Sequence, residues 1–517
     1  GQPAGEGMDR EVGVRNYNTN NYFTYDWSND IHRLKATLGM SYQEKQTEGS
    51  RLEAKGFPSD AFKNLSNASE VTSFGEWGYG NSFLSYYARS NYQYKGKYLL
   101  SLSGRIDGSS RFGENSKYGF FPAGSLGWII SEENFMQNIE AISYLKLRTS
   151  YGITGNAGIG NYESYGLYDG TTYVGNPALI PAQLKSPNLK WETTSQFNVG
   201  LDYGFADDRI SGSIDYYYKH TTDLLLNRSL PATSGFGAVT KNVGSLKNYG
   251  LEFAITTHNL KGQFSWITDF NISANRNEIL DIAGPEISYG SNYVIEGEDI
   301  GVFKLVEYAG VHPMTGDALF YKNDGSGMTT DDYNEANRVV AGSPNPEFTG
   351  GLNNRFEYKN FDLSILTNFV YGNDVYLSAG RYQSANFEWW DNQTTDQLDR
   401  WQEPGDVTDV PEPRFGQANG SQHSTRYLHE GSYLRIKQLT LGYNLPESVL
   451  KNLRISSARI FVSASNLYTF TNYPGYDPEV SSLPAGGSSQ AYNVMMGVDF
   501  YTAPQIRSYK IGLDVNF

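Results

Sequence analysis

The chain has 517 residues, a formal net charge of −15 and no cysteine. The lack of cysteine excludes disulfide scaffolds, thiolate metal sites and cysteine nucleophiles, and the negative charge argues against a nucleic-acid partner, because phosphates require a basic surface. The mean hydropathy is −0.51, and no run approaches the roughly 18 apolar residues of a membrane helix, so helical membrane spans are excluded and a β-barrel is not.

Composition favours a large β-structure. The 40 tyrosines and 27 phenylalanines suit half-buried strands and membrane–water boundaries. A chain of this length exceeds one ordinary domain unless the architecture is a large barrel, propeller or solenoid. The first ten residues carry neither a basic nor an apolar signal-peptide region, so we expect that a signal peptide was removed or that the chain begins downstream of the true N-terminus.

Apolar and polar residues alternate with period two along most of the chain. After a first strand near Tyr17–Trp27, the stretch Tyr98–Asp107 places Tyr98, Leu100, Leu102 and Ile106 on one face and Ser101, Ser103, Arg105 and Asp107 on the other. The same alternation recurs at 145–154, 197–205, 361–371 and 508–517. Such strands fit a barrel that shows lipid only every second residue.

One strand changes phase. Leu434 and Ile436 occupy even positions, whereas Leu439, Leu441 and Tyr443 occupy odd ones. A β-bulge near Lys437–Gln438 would return both sets to a single face.

The connections alternate between short and long. Tight turns are predicted at 28–30, 95–96, 206–208, 259–262 and 359–360. Long segments are predicted at about 47–80, 155–190, 224–242, 277–346, 373–425 and 468–505, with a shorter loop at about 111–117. Short periplasmic turns and long extracellular loops are typical of a transmembrane β-barrel.

Counting these segments predicts about 15 strands, the last of which runs toward the periplasm. Bacterial single-chain barrels have even strand numbers, so an odd count indicates a missing piece or one miscounted strand. The first strand also runs toward the periplasm. We therefore expect further strands, and whatever fills the lumen, to precede this chain.

An ordered set of short motifs resembles the SusC/RagA family of TonB-dependent transporters from Bacteroidota outer membranes. The motifs are Arg105–Phe112, Gly119–Trp128, Leu145–Gly152 with Gly155 and Asn156, Asn188–Glu192, Asp223–Leu225 with Leu230 and Pro231, Asn242–Gly244 with Asn248–Glu252, Tyr433–Tyr443, Asn466 and Leu467, and Tyr473–Glu479. They cover most of the chain in the family's order.

The resemblance implies a 22-stranded antiparallel barrel with an N-terminal plug, a SusD-like surface lipoprotein as lid, and energy from the TonB complex. Residues 1–517 would then be the C-terminal part of the barrel, with about 15 of the 22 strands. The plug, the TonB-contacting segment and about seven strands would lie outside the chain.

Four aromatic residues in the long 373–425 segment are candidates for contact with the ligand or the lid: Tyr382, Phe387, Trp389 and Trp390. Flat aromatic side chains stack on sugar rings or bury peptide side chains, and loops on a rigid scaffold often carry function. The alternative is ordinary loop packing, since aromatic enrichment is common at interfaces of every kind.

The segment 323–332 resembles a calcium-loop-like insert of some family members. Calcium requires several oxygen ligands at alternating positions. Here Lys322 stands where the first acidic ligand should be, and Ser326 replaces another. The sequence therefore favours a plain acidic turn, and no metal or other cofactor is expected.

Catalysis receives little support. Six histidines and no cysteine leave few candidate bases, and neither a Gly-x-Ser-x-Gly nor a His-Glu-x-x-His pattern occurs. The 56 acidic residues are best explained as scattered loop acids. The chain is not expected to be an enzyme.

The leading hypothesis is active import of an oligosaccharide or peptide across the outer membrane of a Gram-negative bacterium, through a polar lumen. An alternative is a secreted, soluble carbohydrate-binding or glycan-cleaving β-protein, which would bury its apolar rows in a core. A passive porin or a siderophore-type receptor is a third possibility, and neither would have a lipoprotein lid.

Overall fold

The computed structural model of the chain describes residues 5–384, 390–453, 455–482 and 494–517, apart from the side chains of residues 229, 452 and 453. β-Strands dominate these ranges. No helix within them is long and apolar enough to cross a membrane.

Fifteen strands of the described residues form one sheet, in which each strand is hydrogen-bonded to the next along the chain. They are β1 (Glu6–Ser28), β2 (His32–Lys55), β3 (Glu70–Tyr94), β4 (Tyr98–Ser109), β5 (Tyr118–Ile129), β6 (Ile142–Asn156), β7 (Glu192–Phe205), β8 (Ile210–Thr222), β9 (Ser245–Leu260), β10 (Phe264–Asp281), β11 (Phe348–Tyr358), β12 (Phe361–Tyr371), β13 (Tyr433–Asn444), β14 (Ser457–Thr471) and β15 (Ser508–Asn516). The sheet is antiparallel. Both the strand number and the all-β fold class are confirmed.

Tight turns join strand pairs at the predicted places. Lys95 and Gly96 between β3 and β4 have φ of 51° and 69°, and Lys359 between β11 and β12 has φ of 54°. Left-handed residues of this kind let a short hairpin reverse direction with the twist of its strands. The turn predicted at 259–262 begins later, because β9 runs to Leu260.

The segment predicted as a loop at 47–80 is mostly strand, which corrects that boundary. β2 and β3 stay paired from Thr47↔Tyr79 out to Lys55↔Glu70, so that only residues 56–69 connect them. The pairing continues through polar and glycine-rich sequence without an apolar row. Backbone hydrogen bonds extend the ladder there, and the hydrophobic pattern that predicts strands gives no signal of them.

The other long connections carry small sheets of their own. Their strands are Leu167–Tyr173, Asn176–Gln183, Leu225–Ser229, Ala238–Asn242, Ile287–Tyr289, Asn292–Val294, Val302–Val306, Tyr308–Val311, Ala318–Tyr321, Thr329–Thr330, Arg338–Gly342, Asp374–Leu377, Leu428–Glu430 and Val498–Asp499. Helical turns are Leu65–Asn67, Ile130–Glu132, Ala232–Ser234, Tyr333–Glu335, Gly380–Gln383, Thr395–Asp399, Thr425–Tyr427 and Glu447–Leu453. For the long segments among these, the sequence predicted the connections and gave no strands or helical turns within them.

The two faces of the sheet differ in chemistry. On the apolar face Leu38 is 65% exposed, Leu102 53% and Leu441 50%. On the polar face of β3–β6, a recess of about 320 Å³ is lined by residues that include Arg89 and Ser103. A soluble protein would bury the apolar rows in a core, so the alternative of a secreted soluble β-protein is wrong.

The predicted bulge is present in β13. Thr367 of β12 pairs with Ile436 and Leu366 pairs with Gln438, which leaves Lys437 as the extra residue of β13. Against β14 the extra residue is in β14, because Asn466 and Leu467 lie between the partners of Ile436 and Gln438. Leu434 and Leu441 are both exposed as a result, although they differ in sequence parity.

Contacts divide the chain into two compact units. One unit contains Gly1–Trp128, Thr149–Phe197 and Thr221–Val243, and the other contains Ile129–Arg148, Asn198–His220 and Gly244–Phe517.

The first unit has a small core where several of the sequence motifs meet. The buried cluster consists of Phe112, Phe121, Ile159, Leu189, Trp191 and Leu225. The indole Nε1 of Trp191 donates to the carbonyl of Lys117 at 3.0 Å. The core therefore fastens the connections after β4, β6 and β8 to one another.

Candidate functional site

The structure describes two of the four predicted contact residues. Tyr382 lies in the helical turn Gly380–Gln383, and Trp390 follows it on the same connection between β12 and β13. Phe387 and Trp389 lie outside the described residues.

A three-stranded sheet in the second unit positions Tyr382. Asp374–Leu377 is its central strand, paired antiparallel with Leu428–Glu430 and parallel with Val498–Asp499. The amide of Tyr376 donates to the carbonyl of Gly497 at 2.7 Å, and that of Ala379 donates to Asp499 at 3.2 Å. These bonds hold the start of the helical turn beside residues 497–501.

Three aromatic rings meet at this junction. The Tyr382 ring centre lies 5.6 Å from that of Phe500 and 6.5 Å from that of Tyr501, while Phe500 and Tyr501 are 4.9 Å apart. The guanidinium of Arg381 lies 5.7 Å from the centre of the Tyr382 ring. We call Tyr382, Phe500 and Tyr501 the aromatic cluster.

Tyr501 is held in an unusual conformation. Its φ of 53° is in the left-handed region, which bulky residues seldom adopt. Its hydroxyl donates to Asp391 Oδ2, and burial together with that carboxylate raises its pKa. The hydroxyl therefore stays protonated and links Asp391, within the 373–425 segment, to the 468–505 segment.

A second aromatic pair lies close by in sequence and is far more exposed. Trp390 and Phe415 pack edge to face with ring centres 5.5 Å apart, and they are 89% and 73% exposed. Rings with so much free surface offer stacking area to a sugar ring or to an apolar side chain.

Polar groups next to the aromatic cluster contact one another, and of these Tyr376 is buried whereas Arg381 and His423 are partly buried. Arg381 Nη1 lies 2.7 Å from Nε2 of His423, and the Tyr376 hydroxyl lies 3.1 Å from Nδ1. Burial, with help from Arg381 and Arg338, lowers the pKa of His423 to about 4. A guanidinium has no acceptor, so Arg381 donates to a neutral imidazole.

A buried ion pair anchors the other connection of the site. Arg435 at the start of β13 has a side chain that is 1% exposed. Its guanidinium binds Asp477, and its Nη1 donates to Glu479 at 2.7 Å. These ion pairs therefore connect two motifs that are separate in the sequence, Tyr433–Tyr443 and Tyr473–Glu479.

The 323–332 segment forms the end of a small hairpin, in which Ala318–Tyr321 pairs with Thr329–Thr330. The amide of Ser326 donates to Asp324 at 2.9 Å, and Lys322 Nζ lies 2.8 Å from Glu335. Among the described residues no group of three or more His, Asp or Glu side chains is placed to hold a metal ion. That no cofactor is used stays a prediction.

The polar face of the sheet carries ion pairs. Within the second unit, Arg148 of β6 donates to Asp202 of β7 at 3.0 Å and to Asp215 of β8 at 2.6 Å. Charges in such a row belong to a hydrated lumen, because lipid would not solvate them.

Sequence reasoning missed half of the site. Phe500 and Tyr501 lie more than a hundred residues after Tyr382, and Phe415 is distant from Trp390 in the sequence. The adjacent aromatic pair at 500–501 in a predicted long connection was a usable signal. Nothing in the sequence shows that the two connections meet.

Comparison with known proteins gives consistent matches. Residues 3–467 match the family described as TonB dependent receptor-like, beta-barrel. TonB-dependent receptor P3 of Formosa agariphila is 34% identical over 99% of this chain and 54% of its own length. TonB-dependent receptor SusC of Bacteroides thetaiotaomicron is 30% identical over 84% of this chain and 44% of its own length.

Among solved structures, the RagAB peptide transporter matches with a TM-score of 0.88 and 28% identity, over 99% of this chain and 57% of that chain. The chain spans about half the length of the curated relatives it matches. The family match, the two curated relatives and this structure agree on a single type of protein. The chain belongs to the TonB-dependent receptor β-barrel family, is of the SusC/RagA type and is an outer-membrane protein.

Proposed function

We propose that this chain is the C-terminal part of an active importer that takes up an oligosaccharide or peptide nutrient together with a SusD-like surface lipoprotein. TonB would supply the energy through an N-terminal plug, and further strands would complete the barrel. The relatives named SusC and RagAB support the partner and the energy source.

The observation that carries the proposal is the exposed aromatic surface on a fixed base. Trp390 and Phe415 expose most of their rings, while the aromatic cluster is tied down by the sheet around Asp374–Leu377 and by Arg381. A rigid base lowers the entropy that a ligand-binding loop loses on binding. Tyr382 and Trp390 are the described residues that we propose for contact with the ligand or the lid.

Uptake of labelled oligosaccharides and labelled peptides by cells tests this function. Replacing Trp390 and Phe415 together with alanine should weaken uptake of one ligand class by about 5- to 150-fold, since each of the two aromatic contacts contributes about 0.5–1.5 kcal/mol. Phe62→Ala is the matched control, because Phe62 is 50% exposed on the connection between β2 and β3. Unchanged uptake of both classes would remove these residues from the site.

The partner is tested by mass spectrometry of everything that co-purifies after gentle extraction from the native membrane. A SusD-like lipoprotein and a plug-bearing portion should be present. If the chain is extracted and the SusD-like lipoprotein or the plug-bearing portion is missing, the proposal of an importer with a lipoprotein lid is contradicted.

A further inference from the structure

The apolar face of the first unit contains a hollow of about 690 Å³ across β1 to β6. It is distinct from the aromatic cluster and opens on the side of the sheet where Leu38 and Leu102 are exposed. In an outer-membrane protein this face contacts lipid, because the polar face is the one that carries the ion pairs.

Strand register explains why the hollow exists. One cross-strand row consists of Phe23, Leu38, Ala88, Gly104 and Pro122, and the next consists of Tyr25, Ala36, Ser90, Leu102 and Gly124. The central positions of both rows are mostly small side chains. We call this hollow the small-residue groove.

The rows on either side are large. Toward one end of the strands lie Met40, Tyr86, Ile106 and Phe120, and toward the other lie Leu34, Tyr92, Leu100 and Leu126. The groove is therefore a depression between two ridges, closed at its ends by Phe23 and Tyr25 of β1 and by Tyr151 of β6. An unfilled depression would forfeit the dispersion contacts of its lining.

Aromatic residues mark the depth of the groove in the membrane. Tyr94 and Tyr98 flank the tight turn between β3 and β4, and their rings are 6.1 Å apart. Leu102 and Gly104 follow Tyr98 by four and six residues. At about 3.3 Å per residue and a tilt of about 40°, the groove lies roughly 10–15 Å above this end, up to the middle of an apolar band about 25 Å tall.

We infer that the small-residue groove binds one acyl chain of a phospholipid from the periplasmic leaflet. Short turns lie on the periplasmic side of such barrels, and the groove is on that half of the apolar band. Water would not fill it, because a stable water needs two to four polar partners and the central side chains of the rows offer chiefly the Ser90 hydroxyl. Lys95, at the turn beside Tyr94, places a cation where the lipid phosphate would lie.

Photo-crosslinking of the whole transporter in native outer-membrane vesicles tests the inference. The probe is a phosphatidylethanolamine with a diazirine in the middle of one acyl chain, and labelled peptides are mapped by mass spectrometry. The variant Gly104→Val with Gly124→Val fills the groove, and the added Cβ atoms would lie 3.4 Å from Phe120 and from Leu102. Excluding about two methylene groups should reduce labelling of the β3–β5 peptides roughly tenfold.

Gly78→Val is the matched control. Gly78 is on the same face of β3 but beyond the apolar rows, and its added Cβ would be no closer than 3.8 Å to any neighbour. Its labelling should equal that of the wild type. Ala88→Leu is a second variant that fills the groove. If the double variant does not assemble, reduced labelling of the β3–β5 peptides in Ala88→Leu tests the same inference.

Two results would overturn the inference. Equal labelling of the wild type and the filled variant would show that the groove holds no particular chain. Preferred labelling by a diazirine-bearing lipid A probe would assign the groove to the outer leaflet. Either result would leave the proposed import function untouched, since uptake is measured separately.

Discussion

At the scale of single residues, the two connections of the site are held by polar groups that are buried or partly buried. His423 accepts from Arg381 and contacts the Tyr376 hydroxyl, so both its ring nitrogens are used. Arg435 binds two carboxylates at the root of the other connection. Each arrangement tolerates only one charge state, because burial makes an unpaired charge or donor costly.

The first prediction concerns pH. The pKa of His423 is lowered from 6.5 to about 4 in the folded segment, so the unfolded segment binds a proton at higher pH. The contribution of neutral His423 to the stability of the folded segment is complete above about pH 6.5, and it is lost as the pH falls toward about 4. Hydrogen exchange of residues 420–427, corrected for the intrinsic effect of pH, should accelerate over that window.

His423→Asn should reduce this acceleration without abolishing it. His429 remains in the variant, and burial lowers its pKa as well. An identical pH response in the wild type and the variant would show that His423 does not titrate as the structure requires.

The second prediction concerns the buried ion pair. Arg435→Met leaves the buried Asp477 without its cation and leaves Glu479 with Lys437 alone, which should weaken the packing of residues 472–482 against β13 by about 3–5 kcal/mol. Limited proteolysis should cut this segment faster. Lys437→Met is the control, because Lys437 lies at the exposed rim of the same network and should cost no more than about 1 kcal/mol.

At the scale of elements, register determines which chemistry each face presents. The bulge at Lys437 keeps Leu434 and Leu441 on one face, while Arg435 lies on the opposite face, where it binds Asp477. A strand without the bulge would satisfy only one of these requirements, because a shift of one residue exchanges the faces.

The third prediction follows from this register. Deletion of Lys437 should prevent assembly or produce a barrel that melts at lower temperature, whereas Lys437→Ala should assemble normally. Both assembly and melting temperature can be measured by electrophoresis, because the band of a folded barrel shifts when the sample is heated to unfolding before loading. Normal heat stability of the deletion variant would mean that the bulge can be absorbed elsewhere in β13.

At the scale of the whole molecule, one face of the sheet is apolar and contacts lipid, and the other is polar and contacts water. The free-energy cost of placing a charge on the sheet therefore differs between the two faces. In lipid, a charge on the apolar face has no partner, whereas on the polar face it is solvated.

The fourth prediction uses two positions on β14. Val462 is 50% exposed on the apolar face, and Ser465 lies on the polar face. Val462→Arg should destabilise the membrane-inserted barrel by about 2–4 kcal/mol, and Ser465→Arg by much less. Denaturant titration in lipid vesicles compares them, and equal losses would contradict the assignment of the faces.

Much of the fold was predictable because its rules are local. Alternation with period two reports the pleat of each strand, so the faces, the tight turns and the bulge follow from neighbours in the sequence. The prediction was wrong at 47–80, where backbone pairing continues without an apolar row. The small sheets in the long connections were missed because their strands are only two to eight residues long, too short to show a clear period-two row.

The site required tertiary structure. The sequence by itself determined that aromatic residues such as Tyr382 and Trp390 lie on a long connection of a β-barrel. Only the structure brought Tyr382 to Phe500, Arg435 to Asp477, and Gly104 beside Pro122. The reason is physical: pleat and turn are set by residues a few positions apart, whereas contacts between distant segments depend on register and packing accumulated over the whole sheet.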